Sequence, residues 1–151
     1  MSEKAIQDYY PDDIAVCFGC GRHNQSGLAI RTYWDGNEGT CRFAPKDEHL
    51  AYPGVIYGGL IACLVDCHSI GTAVAAAHHS EGRELGSEPL ILFFTARLEI
   101  DYRAPTPTGT ELVLRASVEE VTPRKSVVTC TVHAGDILCA ESRIVAVRKR
   151  D

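Results

Sequence analysis

Two adjacent glycines, Gly58 and Gly59, stand at the head of a long apolar run, and a single carboxylate, Asp66, interrupts its middle. Glycine lets a ligand approach the backbone closely, and the first turn of a helix offers unpaired N–H donors with partial positive charge. An acyl carbonyl seated there would be polarised. Asp66 follows Gly59 by two helical turns, so it returns to nearly the same face, among Ala62, Cys63, Ile70 and Ala73. A lone carboxylate in such a stripe is costly unless it is paired or put to chemical use. Two readings stand on residue type: an Asp satisfied by a buried arginine or backbone donors, and a reactive Asp.

The remaining polar candidates carry weaker signals. His68 lies two residues from Asp66 and points to another side of the helix, which marks it as a structural or interface histidine. Cys63 and Cys67 read as small core residues, and Ser69 and Thr72 by default bond back to the helix backbone. Cys17-Phe-Gly-Cys20 has the C-x-x-C spacing, with His23 after it. Zinc takes four ligands, and no second C-x-x-C or H-x-x-x-H pair completes a set, so the expectation is no metal and no cofactor. Seven cysteines and a polar Met1–Tyr10 without a signal-peptide apolar run point to free thiols in a reducing, cytoplasmic setting.

The elements that would position these residues follow from pattern. At 151 residues the chain fits one domain, 1–151, with residues 1–16 as a peripheral N-terminal segment. A net charge of −5 argues against a nucleic-acid partner, and Arg148, Lys149 and Arg150 read as a solvated tail. Gly58 to Ala77 is long enough for a membrane span, but Asp66, His68, Ser69 and Thr72 interrupt it and no Lys or Arg flanks it. It reads as a core helix, with no membrane partner. Leu28–Trp34 and Thr40–Phe43 flank a hairpin connection at Asp35–Gly39, and Ser80–Pro89 reads as a loop. Ala96–Tyr102 alternates with period two, and Glu111–Val121, Ser126–His133 and Ile137–Arg148 follow with short turns, which predicts an antiparallel meander. One apolar helix with such a sheet predicts an α+β fold, a curved antiparallel β-sheet wrapped around one long central α-helix.

The chain resembles the hotdog-fold acyl-CoA thioesterases, in particular the phenylacetate-pathway (PaaI-like) group, from about Cys17 to Val147. The matching stretches are Cys17-Phe-Gly-Cys-Gly21 with Asn24 and Gly27-Leu28, then Glu48-His49, Pro53-Gly54-Val55-Ile56, Gly58-Gly59 with Leu64-Val65-Asp66, Tyr102 with Pro105, and Arg124-Lys125. The resemblance implies hydrolysis of an acyl-CoA to the acid and CoA. It implies that the backbone N–H of Gly58 holds the thioester carbonyl and that Asp66 of the other subunit acts as base or nucleophile. Tyr57, Gly59 and His49 would bind substrate, and Arg124 and Lys125 the CoA phosphates. Two groups about 10 Å apart along a helix can serve one carbonyl if they come from different chains. The expected partner is therefore a second copy, in a homodimer or a dimer of dimers. The chain departs from the family with Tyr57 in place of His and Ala51 in place of Asn or Gly. Tyr57 can donate a hydrogen bond but cannot act as an imidazole. A non-catalytic acyl-CoA-binding hotdog protein is the alternative, whereas a hydratase would need a His–acid pair that the helix start lacks.

Overall fold

Helix α1 (Gly58–Ser80) is the axis of the computed structural model, which describes residues 4–150. Leucines, alanines and other small residues let it pack closely, and the chain leaves it at Glu81 before Gly82, whose φ of +65° ends the helical path. Eight strands accompany it: β1 (Tyr33–Trp34), β2 (Gly39–Phe43), β3 (Leu50–Tyr52), β4 (Val55–Ile56), β5 (Phe93–Tyr102), β6 (Leu112–Val121), β7 (Lys125–Ala134) and β8 (Ile137–Arg148). Six of them form one antiparallel sheet in the order β1-β2-β6-β7-β8-β5, and β3 pairs with β4. The sheet curls over α1 and buries Leu60, Ile61, Leu64 and Val65 against Leu112, Leu114, Val128 and Ile144. Each such side chain contributes about 1.5–3 kcal/mol by leaving water. The curled sheet around a central helix is the arrangement predicted from the sequence.

Several elements differ from expectation. The meander joins β6, β7 and β8 but not β5, which pairs with β8 at the far edge. Pro105 and Pro107 lie in a connection that crosses the sheet instead of turning back. It is clipped to β4 by Ile56 N–H to the Thr106 carbonyl at 2.9 Å and by Thr108 N–H to the Gly54 carbonyl at 3.2 Å. Leu28–Thr32 is not strand, because Leu28 and Ile30 donate to Phe18 and Gly19 and Ala29 adopts a φ of +53°. A β3–β4 hairpin that the sequence pattern does not mark turns at Gly54 (φ +82°) and leads straight into α1. Residues 1–16 are not wholly peripheral: Ala5, Ile6, Gln7 and Ala15 are buried, and Ile6 joins the core through its N–H bond to Thr32.

The C-terminal half of α1 is sheathed all round, with Gly71 through His78 buried. Long and apolar enough to cross a membrane, the helix instead has 72% of its most apolar window buried within the protein. Its first half differs. Gly58, Gly59, Ala62, Cys63, Asp66, Cys67 and Ile70 form a half-covered stripe. His68 faces inward: its Nδ1 lies 3.0 Å from the Thr32 hydroxyl and its Nε2 3.2 Å from the Gly39 carbonyl. Burial pushes its pKa down to about 4, so the ring is neutral and structural. Thr72 bonds back to the His68 carbonyl at 2.9 Å, as its position on the helix predicts.

Candidate active site

The glycine pair occupies the first turn of α1, where Tyr57 is the N-cap and supplies no side-chain cap. The first backbone N–H of the turn with an acceptor in the chain is that of Leu60, which reaches the Tyr57 carbonyl at 3.1 Å. The N–H groups of Gly58 and Gly59 are left as donors at the positive end of the helix. The two glycines have different reasons to be glycine. A Cβ on Gly59 would lie 2.4 Å from the outer atoms of the exposed Tyr57 ring, so local packing demands its absence unless that ring swings away. A Cβ on Gly58 would meet the Tyr102 ring at an ordinary 3.5 Å, so internal packing does not. Tyr102 instead donates its hydroxyl to the Gly58 carbonyl at 2.7 Å, tying β5 to the helix head.

Two cavities flank the exposed stripe. One, about 540 Å³ by volume, brings Tyr57, Gly59 and His49 together with Phe43, Lys46 and Cys63. His49 is oriented there by the Lys46 N–H, which donates to its Nδ1 at 2.9 Å, and by the Phe43 ring 5.9 Å away. The other cavity, about 430 Å³, holds Asp66 among Cys17, Cys20, Cys67, Ile70 and Phe93. Asp66 accepts a hydrogen bond of 2.5 Å from the Thr95 hydroxyl. A register irregularity of β5 between Thr95 and Arg97 accompanies this contact; such bulges re-aim side chains. A hydroxyl orients the carboxylate without neutralising it, as an arginine would. Gly58 and Asp66 of one chain therefore sit at opposite ends of β5, one beside Tyr102 and the other beside Thr95.

The basic candidates separate. Arg124 lines a cleft with Arg148, Lys149 and Arg150, because β7 and β8 are paired and Arg148 N–H donates to the Arg124 carbonyl at 2.7 Å. Lys125 is not in that cleft; its Nζ lies 3.9 Å from Glu120. Lys149 lines both the basic cleft and the Asp66 cavity, so the two adjoin. The tail that reads as solvated thus belongs to a cation cluster, although Arg148 is also paired with Glu81 at 2.6 Å. Thr95 is the residue that sequence reasoning missed, and only its place in a strand facing the helix could have flagged it.

A central helix with free head-end donors and a mid-helix carboxylate, wrapped by a curled antiparallel sheet, defines a hotdog protein. Residues 53–141 match the Thioesterase superfamily model, and the chain belongs to that superfamily. A thioesterase superfamily protein from Shewanella loihica PV-4 is 44% identical, with 80% of this chain and 91% of that chain covered at a TM-score of 0.65. The acyl-coenzyme A thioesterase THEM4 of Rattus norvegicus is 33% identical over 96 residues, 64% of this chain and 36% of its own length. The chain thus spans about a third of the length of the curated relatives it matches. A Streptococcus mutans protein solved with acetyl-CoA shares the fold at 16% identity and a TM-score of 0.66, covering 80% of this chain and 88% of that one.

Proposed function

We propose that this chain hydrolyses an acyl-CoA to the free acid and CoA, in sites shared between two copies. The observation that carries the reading is the placement of the two site halves along β5. This strand is the long edge of the sheet, opposite the two-residue β1, and it presents Phe94 (63% exposed) and Tyr102 (53% exposed) beside the half-covered stripe of α1. Long edge strands invite pairing, and two-fold dimers are the commonest assemblies; the charges of Arg97, Glu99 and Asp101 leave such pairing to a matching partner edge. If β5 pairs with its own copy about an axis between Leu98 and Glu99, Thr95 of one chain lies opposite Tyr102 of the other. Asp66 then approaches the head of the neighbouring α1. The two halves, separated within a chain, meet across the axis.

In that site the thioester oxygen accepts from the Gly58 N–H, which stabilises the oxyanion as charge develops on it. Asp66 of the partner subunit, held by Thr95, takes a proton from water as the water oxygen bonds to the carbonyl carbon. The C–S bond then breaks, and the CoA thiolate leaves and is protonated. The cations around Arg124 would hold the CoA phosphates. Acyl-CoA is the substrate class of the THEM4 relatives and acetyl-CoA the bound molecule of the Streptococcus mutans protein. The order of motifs favours the phenylacetate-pathway group within the superfamily.

Thiol release from short-chain, medium-chain and aryl acyl-CoAs tests the reading. Turnover of at least one class is expected. Tight acyl-CoA binding with no thiol release would favour the non-catalytic alternative, for which the Tyr57 ring packed over Gly59 is the supporting observation.

A further inference from the structure

The sulfurs of Cys17, Cys20 and Cys67 converge, all within 4.8 Å of one another. Cys17 and Cys20 flank a tight turn closed by Gly21 N–H to the Cys17 carbonyl at 2.8 Å, and Cys67 comes from α1. We propose that these three thiolates bind one zinc ion, which clasps the segment Pro11–Gly27 onto α1 one residue beyond Asp66.

The geometry suits the ion. A tetrahedral zinc with Zn–S bonds of about 2.3 Å separates its sulfurs by about 3.8 Å. The Cys17 and Cys67 sulfurs are 3.8 Å apart. The turn is also built around the third sulfur. A Cβ on Gly19 would lie 2.3 Å from the Cys67 sulfur, and a Cβ on Gly21 would lie 2.4 Å from the Cys17 backbone nitrogen. A side chain at Gly19 would push the C-x-x-C turn off the helix, and one at Gly21 would break the turn against its own backbone. Soft sulfur donors select zinc over the hard cations that carboxylates hold. The missing second pair that argues against a metal in the sequence is replaced here by one helix cysteine 50 residues away.

The fourth position opens into the 430 Å³ cavity that the three cysteines share with Asp66 and Tyr10. Asp66 Oδ1 is engaged by Thr95, and in the proposed site a water takes this fourth position. Binding exchanges thiol protons for the metal and changes no oxidation state. The role is structural: the cysteine segment forms one wall of the Asp66 cavity, and nothing else covalent or ionic ties this turn to α1 among the described residues.

The full chain, purified with reductant and without chelator, is equilibrated with zinc, freed of excess and assayed for metal by mass spectrometry. About one zinc per chain is expected, as for a thiolate site of this kind. Cobalt(II) in its place should give sulfur-to-metal charge-transfer absorption and tetrahedral visible bands. Cys17→Ser, at an exposed thiol, and Cys67→Ser should each abolish both signals. Removing zinc from the wild type should accelerate amide exchange in residues 11–27 and leave the β6–β8 meander unchanged. A fully reduced wild-type chain that binds neither ion would overturn the proposal, and that measurement depends on no variant. So would a Cys17→Ser chain that keeps its zinc, a Cys17–Cys20 disulfide as the stable state under these conditions, or exchange in residues 11–27 indifferent to the metal.

Discussion

Complementation between two inactive variants measures whether one carbonyl is served by two chains. Asp66→Asn removes the base and leaves the helix head intact. Gly58→Val leaves Asp66 intact and places a branched side chain where the carbonyl would sit. The first carbon added meets Tyr102 at an ordinary 3.5 Å, and circular dichroism of the variant checks that the whole valine leaves the fold intact. Each homodimer then carries two dead sites. In a one-to-one co-expression with random pairing, about half of the dimers are mixed, and each mixed dimer holds one site with a wild-type Gly58 and a wild-type Asp66 of the partner subunit. Recovered activity should therefore be about a quarter of wild type, and about half once the mixed dimers are isolated by two affinity tags. The assay is thiol release from a verified acyl-CoA, with sedimentation confirming the dimer at the assay concentration. If both site halves belonged to one chain, no mixture would recover activity. A quarter of wild type or nothing is a gap no assay error bridges, and an active monomer would refute the shared site outright.

Further outcomes follow from individual contacts. Asp66→Asn alone should keep the fold and lower kcat by about 10²–10⁴, the usual weight of a general base; unchanged turnover would remove Asp66 from the chemistry. Arg124→Glu should raise the KM for acyl-CoA about tenfold with kcat nearly unchanged, whereas Lys125→Glu, at a residue paired with Glu120, should do far less; equal effects would place the phosphates elsewhere. His68 makes the fold acid-sensitive. Its pKa is about 4 in the fold against an ordinary 6.5, so the unfolded chain takes up a proton that the folded chain refuses. Stability from this group is complete above about pH 6.5 and is lost at about 1.4 kcal/mol per pH unit as pH falls toward 4. Urea midpoints at pH 7 and pH 4.5 should fall further for wild type than for His68→Gln; parallel losses would mean His68 is not the titrating group.

What the sequence discloses and what it hides divide by the range of the interaction. Gly58, Gly59 and Asp66 are legible because one helix spaces them, and helical geometry is the same in any fold. The alternation in Ala96–Tyr102 is legible for the same local reason. The partner of Asp66 is not, because Thr95 is 29 residues away and reaches it only through the placement of β5 at the sheet edge. That placement was itself misread: short turns announce hairpins, but the proline-bearing connection after Tyr102 crosses the sheet, and no residue type distinguishes crossing from turning. Arg124 and Lys125 are adjacent and look equivalent, yet Arg124 sits in the turn beside the end of β8 and joins the basic cleft, while Lys125 opens β7 and meets Glu120. The C-terminal Arg148-Lys149-Arg150 reads as solvated tail because its neighbours are set by the pairing of β8 with β7, a tertiary fact. The same limit governs the thiols. A ligand rule that searches for paired spacings finds Cys17 and Cys20 and stops, whereas a helix passing 3.8 Å away supplies the third sulfur from a position that sequence alone files under core packing. Local chemistry is thus legible wherever one element carries it. A site assembled between elements, or between chains as proposed for the β5 edge, becomes legible only once the topology decides which elements are neighbours.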